Sequence, residues 1–273
     1  MAEKILKSIK MNFSSFLFAL VITLGIYISL EELYKYRNTN NFLIFSLLLL
    51  SIYFIELYIR WQNHSKKVEL NLNINDNVNE LSELVHKIIL PVILYISLVT
   101  FGYYNLSNRF LPFILLIVFF AFFILSINIQ SFLENKVSVE SKTHYVYDIL
   151  KFLIFFALSD SITNLYLNQG KNLLIFGLIM GLISLLVILL MIWRIDKVNK
   201  FSIIYSFVAS FFIFFAFLIL QSRGNFNAFQ SSLILLFLFY LSVAIIHHKL
   251  SDTLTSSVLV EYFIVIILVL TIS

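Results

Sequence analysis

Apolar residues in this chain come in long blocks separated by short polar breaks, not in the alternation of a half-buried strand. Each block is about 20 residues, the length at which a helix rising about 1.5 Å per residue crosses roughly 30 Å of hydrocarbon. The blocks predict nine transmembrane helices, at about 12–30, 42–61, 85–104, 110–130, 146–167, 173–193, 203–221, 228–246 and 255–272. The ninth is short and carries Glu261, so eight spans with a re-entrant or interfacial tail is the alternative. The expected fold class is therefore all-α, a polytopic bundle of helical hairpins forming a single transmembrane domain over 1–273 with no soluble domain.

One block sets the terms for the others. From Tyr147 to Gln169 the chain is apolar enough to cross a bilayer, yet Ser159, Asp160, Ser161, Thr163 and Asn164 sit together in its second half. A carboxylate at bilayer depth costs roughly 2.5–3.5 kcal/mol on insertion scales, so it should face protein or water and not lipid. Neighbouring spans must wrap this one. If Lys151 snorkels to the inner interface, Asp160 lies nine residues, or about 13 Å, deep.

Two local patterns depart from the block rule. Val68, Leu70, Leu72 and Ile74 alternate with Glu69, Asn71, Asn73 and Asn75, which predicts a short β-strand inside a cytoplasmic loop over 64–83. Val137 and Val139 offer a second short alternation with which it would pair, or either edge would receive a partner; an extended loop along the headgroups is the other expectation. Asn77 followed by Glu80 then marks a helix start. The second and third hairpins resemble one another from "LVHKIILPVILYISL" and "YVYDILKFLIFFALS" onward, as a duplicated hairpin would.

Charge fixes the expected orientation. Of the 19 Lys and Arg, only Lys35, Arg37, Arg109, Lys171 and Arg223 fall in connections of one parity, which puts the N-terminus in the cytoplasm. The basic opening "MAEKILKSIK" leads into an apolar run as a signal peptide does, but no small-x-small cleavage site follows, so it is expected to stay. Trp61 beside Arg60 and Trp193 beside Arg194 fit interfacial anchors at inner ends, and Tyr103, Tyr104 and Tyr166 fit the outer face.

Composition narrows the chemistry more than it names it. The chain is 60% hydrophobic and 12% charged, far from the quarter or so charged residues of soluble domains. A net charge of +4 without a dense basic run gives no nucleic-acid footprint. Zero cysteines exclude disulfides and thiolate metal sites. Gly 6 and Pro 2 leave nearly every span unbroken, which weakens a rocking transporter built on broken helices. No phosphate loop, nucleophile elbow or metal spacing is present, so no cofactor, metal or enzymatic role is expected.

Asp160 with Ser159, Ser161, Thr163 and Asn164 fits either an oxygen-lined patch for a proton or small cation (H+, K+ or Na+) or a polar clasp on a neighbouring helix. Glu261 in "VLVEYFIVI" is a second intramembrane carboxylate and relay candidate. Glu56 is expected to pair with Arg60 four residues on. Asn128 and Gln130 are expected to bond between helices, and Gly177 and Gly181, a GxxxG pair continued by Ser184, to let backbones approach within the chain or between subunits.

Two family likenesses are local. Glu31, Glu32 and Arg37 with His248 and Asp252 resemble pieces of CAAX-type intramembrane proteases, but Tyr36 stands where that pattern needs arginine, so protease activity is rejected. Phe13, Ser14, Phe18, Ala19, Ile22, Thr23 and Leu24 resemble the first helix of the bacterial and endolysosomal potassium-channel family. Ser15 stands where that family has aspartate and Ile9 where it has arginine, and the likeness ends at Leu24.

Two functions survive. One is a channel or transporter for protons or a small cation in a prokaryotic cell membrane or organellar inner membrane. The other is a non-catalytic subunit or anchor of a membrane protein complex, docking a protein partner or a second copy. The single carboxylate of Asp160 at depth, within its Ser/Thr/Asn cluster, tips the balance slightly to ion transport.

Overall fold

The computed structural model describes residues 2–36, 39–68, 77–105, 112, 115–123, 144–170, 172–195, 200–224, 226–250, 253, 255, 260 and 262. Side chains are described over 16–35, 39–55, 90, 92–105, 112, 115–123, 148–170, 172–192, 201–224, 226–250 and the four single residues beyond. Everything described is helix, apart from a few residues in the connections and after the last helix. The helices are α1 (Ala2–Tyr36), α2 (Thr39–Val68), α3 (Asn77–Tyr104), α4 (residues 115–123), α5 (His144–Gln169), α6 (Leu173–Ile195), α7 (Lys200–Arg223) and α8 (Ala228–Leu250).

Each of the first eight apolar blocks has its helix, and most run past their block into polar residues. The block marks only the part of a helix that lipid would touch; backbone bonding carries on until a cap or breaker stops it. α3 begins at Asn77. α2 continues to Val68, so Val68 ends a helix and starts no strand. The rest of the alternating run, residues 69–76, lies outside the described residues, as do Val137, Val139, Asn128 and Gln130. The ninth block is described only at residues 255, 260 and 262, and Glu261 is not among them.

Five helices are long and apolar enough to cross a membrane: Phe16–Lys35, Asp148–Gln169, Leu173–Ile192, Phe201–Arg223 and Ala228–Leu250. α2 and α3 contribute shorter apolar stretches, Thr39–Ile55 and Val92–Tyr104. The chain divides into two compact units, Met1–Leu150 and Lys151–Ser273.

In the first unit α1 packs on α2, where Gly25 leaves room for the Leu49 side chain. Phe122 of α4 is fully buried, with Tyr53 of α2 and Tyr95 of α3 edge-on at 6.0 Å and 6.3 Å. The Tyr95 hydroxyl donates to the Ser46 carbonyl at 2.8 Å, tying α3 to α2. Glu31 pairs with Lys35 one turn on, so this acid is engaged along its own helix.

In the second unit the turns are built from residues that tolerate a left-handed backbone. Gly170 (φ 62°) ends α5, its N–H donating to the Tyr166 carbonyl at 2.8 Å, and Gly224 (φ 65°) follows α7. α8 opens on a reciprocal cap: the Gln230 N–H donates to Asn227 Oδ1 at 2.8 Å, and the Asn227 N–H to Gln230 Oε1 at 3.2 Å. α6 lies along α7, and α7 along α8. In the α6–α7 seam, buried Gly177 faces Leu218 and Phe214 of α7, and half-buried Gly181 faces Phe214 and the Ser210 backbone; Ser184 of α6 and Ser202, Ser206 and Ser210 of α7 are buried as well. Thus the two glycines meet α7 of the same chain. A methyl group on Gly177 would come within 2.8 Å of Leu218 and 3.0 Å of Phe214, whereas one on Gly181 would reach Phe214 Cβ at an ordinary 3.4 Å.

These distances separate two substitutions. Gly177→Leu overpacks the seam and should cost about 1–3 kcal/mol, read as a lowered thermal midpoint of the detergent-solubilised protein. Gly181→Ala should leave that midpoint within the error of the measurement. Equal losses from both would show that the seam is not packed this way.

Candidate functional site

α5 is the most enclosed of the five spans, with 56% of it buried against 33–44% for the others. The reason lies in its sequence. Lys151, Ser159, Asp160, Ser161 and Thr163 are all buried, and Lys151, Ser159, Asp160 and Thr163 expose no surface at all. Consecutive helical residues are about 100° apart, so these side chains point around most of the circumference. Such a helix has no face to offer lipid along its polar stretch.

Rings and one ammonium supply the enclosure. Phe155 stacks on Phe239 of α8 at 4.0 Å, and Phe156 meets Phe229 of α8 edge-on at 5.6 Å. Tyr166 packs on Phe176 of α6 at 5.7 Å and Phe217 of α7 at 6.3 Å, so its ring turns inward among the helices. Lys151 Nζ donates to the Leu190 carbonyl of α6 at 2.9 Å. The expected snorkelling of Lys151 is therefore overturned. A carbonyl on the next helix holds the ammonium inside the protein, and Lys151 no longer marks an interface from which depth can be counted.

The depth of Asp160 follows instead from its own helix. It stands 12 residues after Asp148 and nine before Gln169, the ends of the apolar span. At about 1.5 Å per residue that is about 18 Å from one end and about 13.5 Å from the other. Asp160 is central.

The five clustered residues do not converge on one point. Asn164, one turn beyond Asp160, donates Nδ2 to Asp160 Oδ2 at 2.9 Å and to the Asp160 carbonyl at 3.0 Å. Ser159 and Thr163 form a second stripe about 100° away, and Ser161 lies about 100° to the other side. Each hydroxyl donates back to α5: Ser159 to the Phe156 carbonyl at 2.9 Å, Ser161 to Ala157 at 2.7 Å and Thr163 to Ser159 at 2.8 Å. Their protons spent, these oxygens remain acceptors. Among the described residues, then, Ser159, Ser161, Thr163 and Asn164 clasp no neighbouring helix. Lys151 makes the cross-helix bond that the cluster was expected to make.

Several expected partners fall outside what is described: the side chains of Glu56, Arg60, Trp61, Trp193 and Arg194, and the whole of Glu261 and Asp252. His248 Nδ1 lies 2.8 Å from Thr253 Oγ1, at the end of α8. Gln221 of α7 donates to Ser231 of α8 at 3.1 Å, both buried, a cross-helix bond not foreseen from sequence. Among the described residues no three His, Cys, Asp or Glu are grouped to hold a metal ion.

A chain whose described elements are all helices, five of them long and apolar enough to cross a bilayer, fits a multi-pass helical membrane protein. Residues 38–273 match a family model described as "Protein of unknown function (DUF5656)", and the chain belongs to that family. Neither a curated protein nor a solved structure matches it.

The buried ammonium of Lys151 should respond differently to truncation and to isosteric replacement. Lys151→Ala leaves a void beside Leu190 and should lower stability by about 2–5 kcal/mol, as large-to-small core changes do. Lys151→Met keeps the volume, and the Leu190 carbonyl keeps its helical partner, so its thermal midpoint should fall far less. A Met variant as unstable as the Ala variant would mean that the ammonium itself holds α5 to α6.

Proposed function

We propose that this protein carries protons across a membrane, with Asp160 as the group that takes up and releases them. It crosses the bilayer nine times from a cytoplasmic N-terminus, and Glu261 on the ninth crossing serves as a second relay group. The observation that carries the reading is a fully buried carboxylate at the centre of the most enclosed span. Ionisable groups at that depth are expensive and mark ion pathways and proton relays.

Of the three candidate ions, the proton suits the site best. A bare cation needs several oxygens converging at bonding distance. On α5 only Asn164 shares the carboxylate's face, while Ser159, Thr163 and Ser161 turn away from it. A proton needs one lone pair.

Purified protein in liposomes carrying a pH-sensitive dye tests this directly. An imposed proton gradient should collapse faster with wild type than in protein-free vesicles, and Asp160→Asn, nearly the same size and shape, should return the rate to the protein-free level. Folded wild-type protein that passes no protons would overturn the proposal and leave a non-catalytic membrane subunit. Potassium or sodium flux lost in the same variant would keep Asp160 and replace the ion.

A further inference from the structure

Resting on the proton-carrying reading, we infer that Asn164 is a positioning residue that serves Asp160 in both protonation states by turning its amide over. As described, the amide donates Nδ2 to Oδ2 of the carboxylate at 2.9 Å. A carboxylate only accepts, so this polarity suits the charged form. When a proton arrives on Oδ2, that oxygen becomes a donor facing a second donor. A half-turn about the Cβ–Cγ bond of Asn164 brings its own Oδ1 to the same place, where it accepts from the new O–H. One hydrogen bond is exchanged for one.

The second bond of Nδ2, to the Asp160 backbone carbonyl at 3.0 Å, is given up in the turn. That carbonyl lies inside α5 and keeps its helical partner, the N–H of residue 164, so it is not left unbonded; the lost bond, and the Asn164 oxygen that now faces the carbonyl, are the cost of the turn. Ser and Thr at the same place would share the property, whereas Leu or Ala would not. The half-buried position of Asn164 gives the amide room that fully buried Asp160 lacks.

Few titratable groups among the described residues stand on the helices packed against α5. On α5 the other titratable groups of the described side chains are Asp148, Lys151 and Tyr166; the nearest charged one, Lys151, lies nine residues and half a circumference away. α6 has none from Leu173 to Ile192. α7 has Tyr205 and Arg223, and α8 has Tyr240, His247, His248 and Lys249.

Infrared difference spectra between acid and alkaline pH, on the full chain in lipid bilayers with isotopically labelled asparagine, read both groups at once. A carboxylic-acid C=O band should appear on acidification and vanish in Asp160→Asn. At the same midpoint an asparagine side-chain amide band, identified by its isotope shift, should move. It should be missing from Asp160→Asn and from Asn164→Leu, and Asn164→Ser should keep the acid band alone. An acid band that titrates without any asparagine band overturns the inference, and so does an Asp160 that shows no acid band at any pH. If Asn164→Leu fails to fold, Asp160→Asn still decides, because the amide band must be absent there too. Liposome flux is a separate measurement: both bands without flux removes proton transport and keeps the exchange, while flux without the amide band does the reverse.

Discussion

A helix that carries charge in the middle of an apolar span must be surrounded by its own chain, and the second unit is arranged around that requirement. Lipid offers neither donors nor acceptors, so Lys151 and Asp160 depend on protein for every polar contact. Lys151 reaches a backbone carbonyl of α6, and Asp160 an amide one turn along its own helix. Because the two side chains leave α5 in opposite directions, no single neighbour shields both. Three helices are brought to it.

Two kinds of packing follow from this. α6 meets α7 at Gly177 and Gly181, which face Phe214, Leu218 and the Ser210 backbone and let the two helices come close. α5 instead meets its neighbours through rings: Phe155 on Phe239, Phe156 on Phe229, and Tyr166 between Phe176 and Phe217. Large flat side chains hold the neighbouring backbones farther off and still exclude lipid. The spacing leaves polar side chains on α5 a place to sit without touching acyl chains. Small residues would have closed that space.

Hydrophobic blocks are a strong signal because lipid imposes a length, and that is why α1 to α8 were legible. The central helix was legible for the same reason: an Asp within a span apolar enough to cross a bilayer demands cover. Lys151 was misplaced because the snorkelling rule knows only distance to an interface, while its actual partner, the Leu190 carbonyl, comes from a helix whose approach no local pattern encodes. The spread of the polar cluster was available and missed: residues 159, 160 and 161 cannot share a face at about 100° per residue. Val68 failed for another reason. A period of two over a few residues carries less weight than a helix already running, which continues to that valine before it ends.

The unbroken course of these helices bears on what kind of site they can build. Selective cation sites in membranes are commonly built where a helix is interrupted and its carbonyls turn inward. From α5 to α8 there is no proline, and Gly177 and Gly181 lie within continuous helix against α7. The carbonyls there are engaged along the helix axis, or with serine and threonine hydroxyls such as Ser206 on Ser202 and Ser210 on Ser206. What remains on α5 is side-chain oxygen, arranged in stripes and not in rings. Stripes of acceptors cannot replace the hydration shell of sodium or potassium at one point. The proposed proton asks less, namely that one group, Asp160, accept in one state and donate in the other.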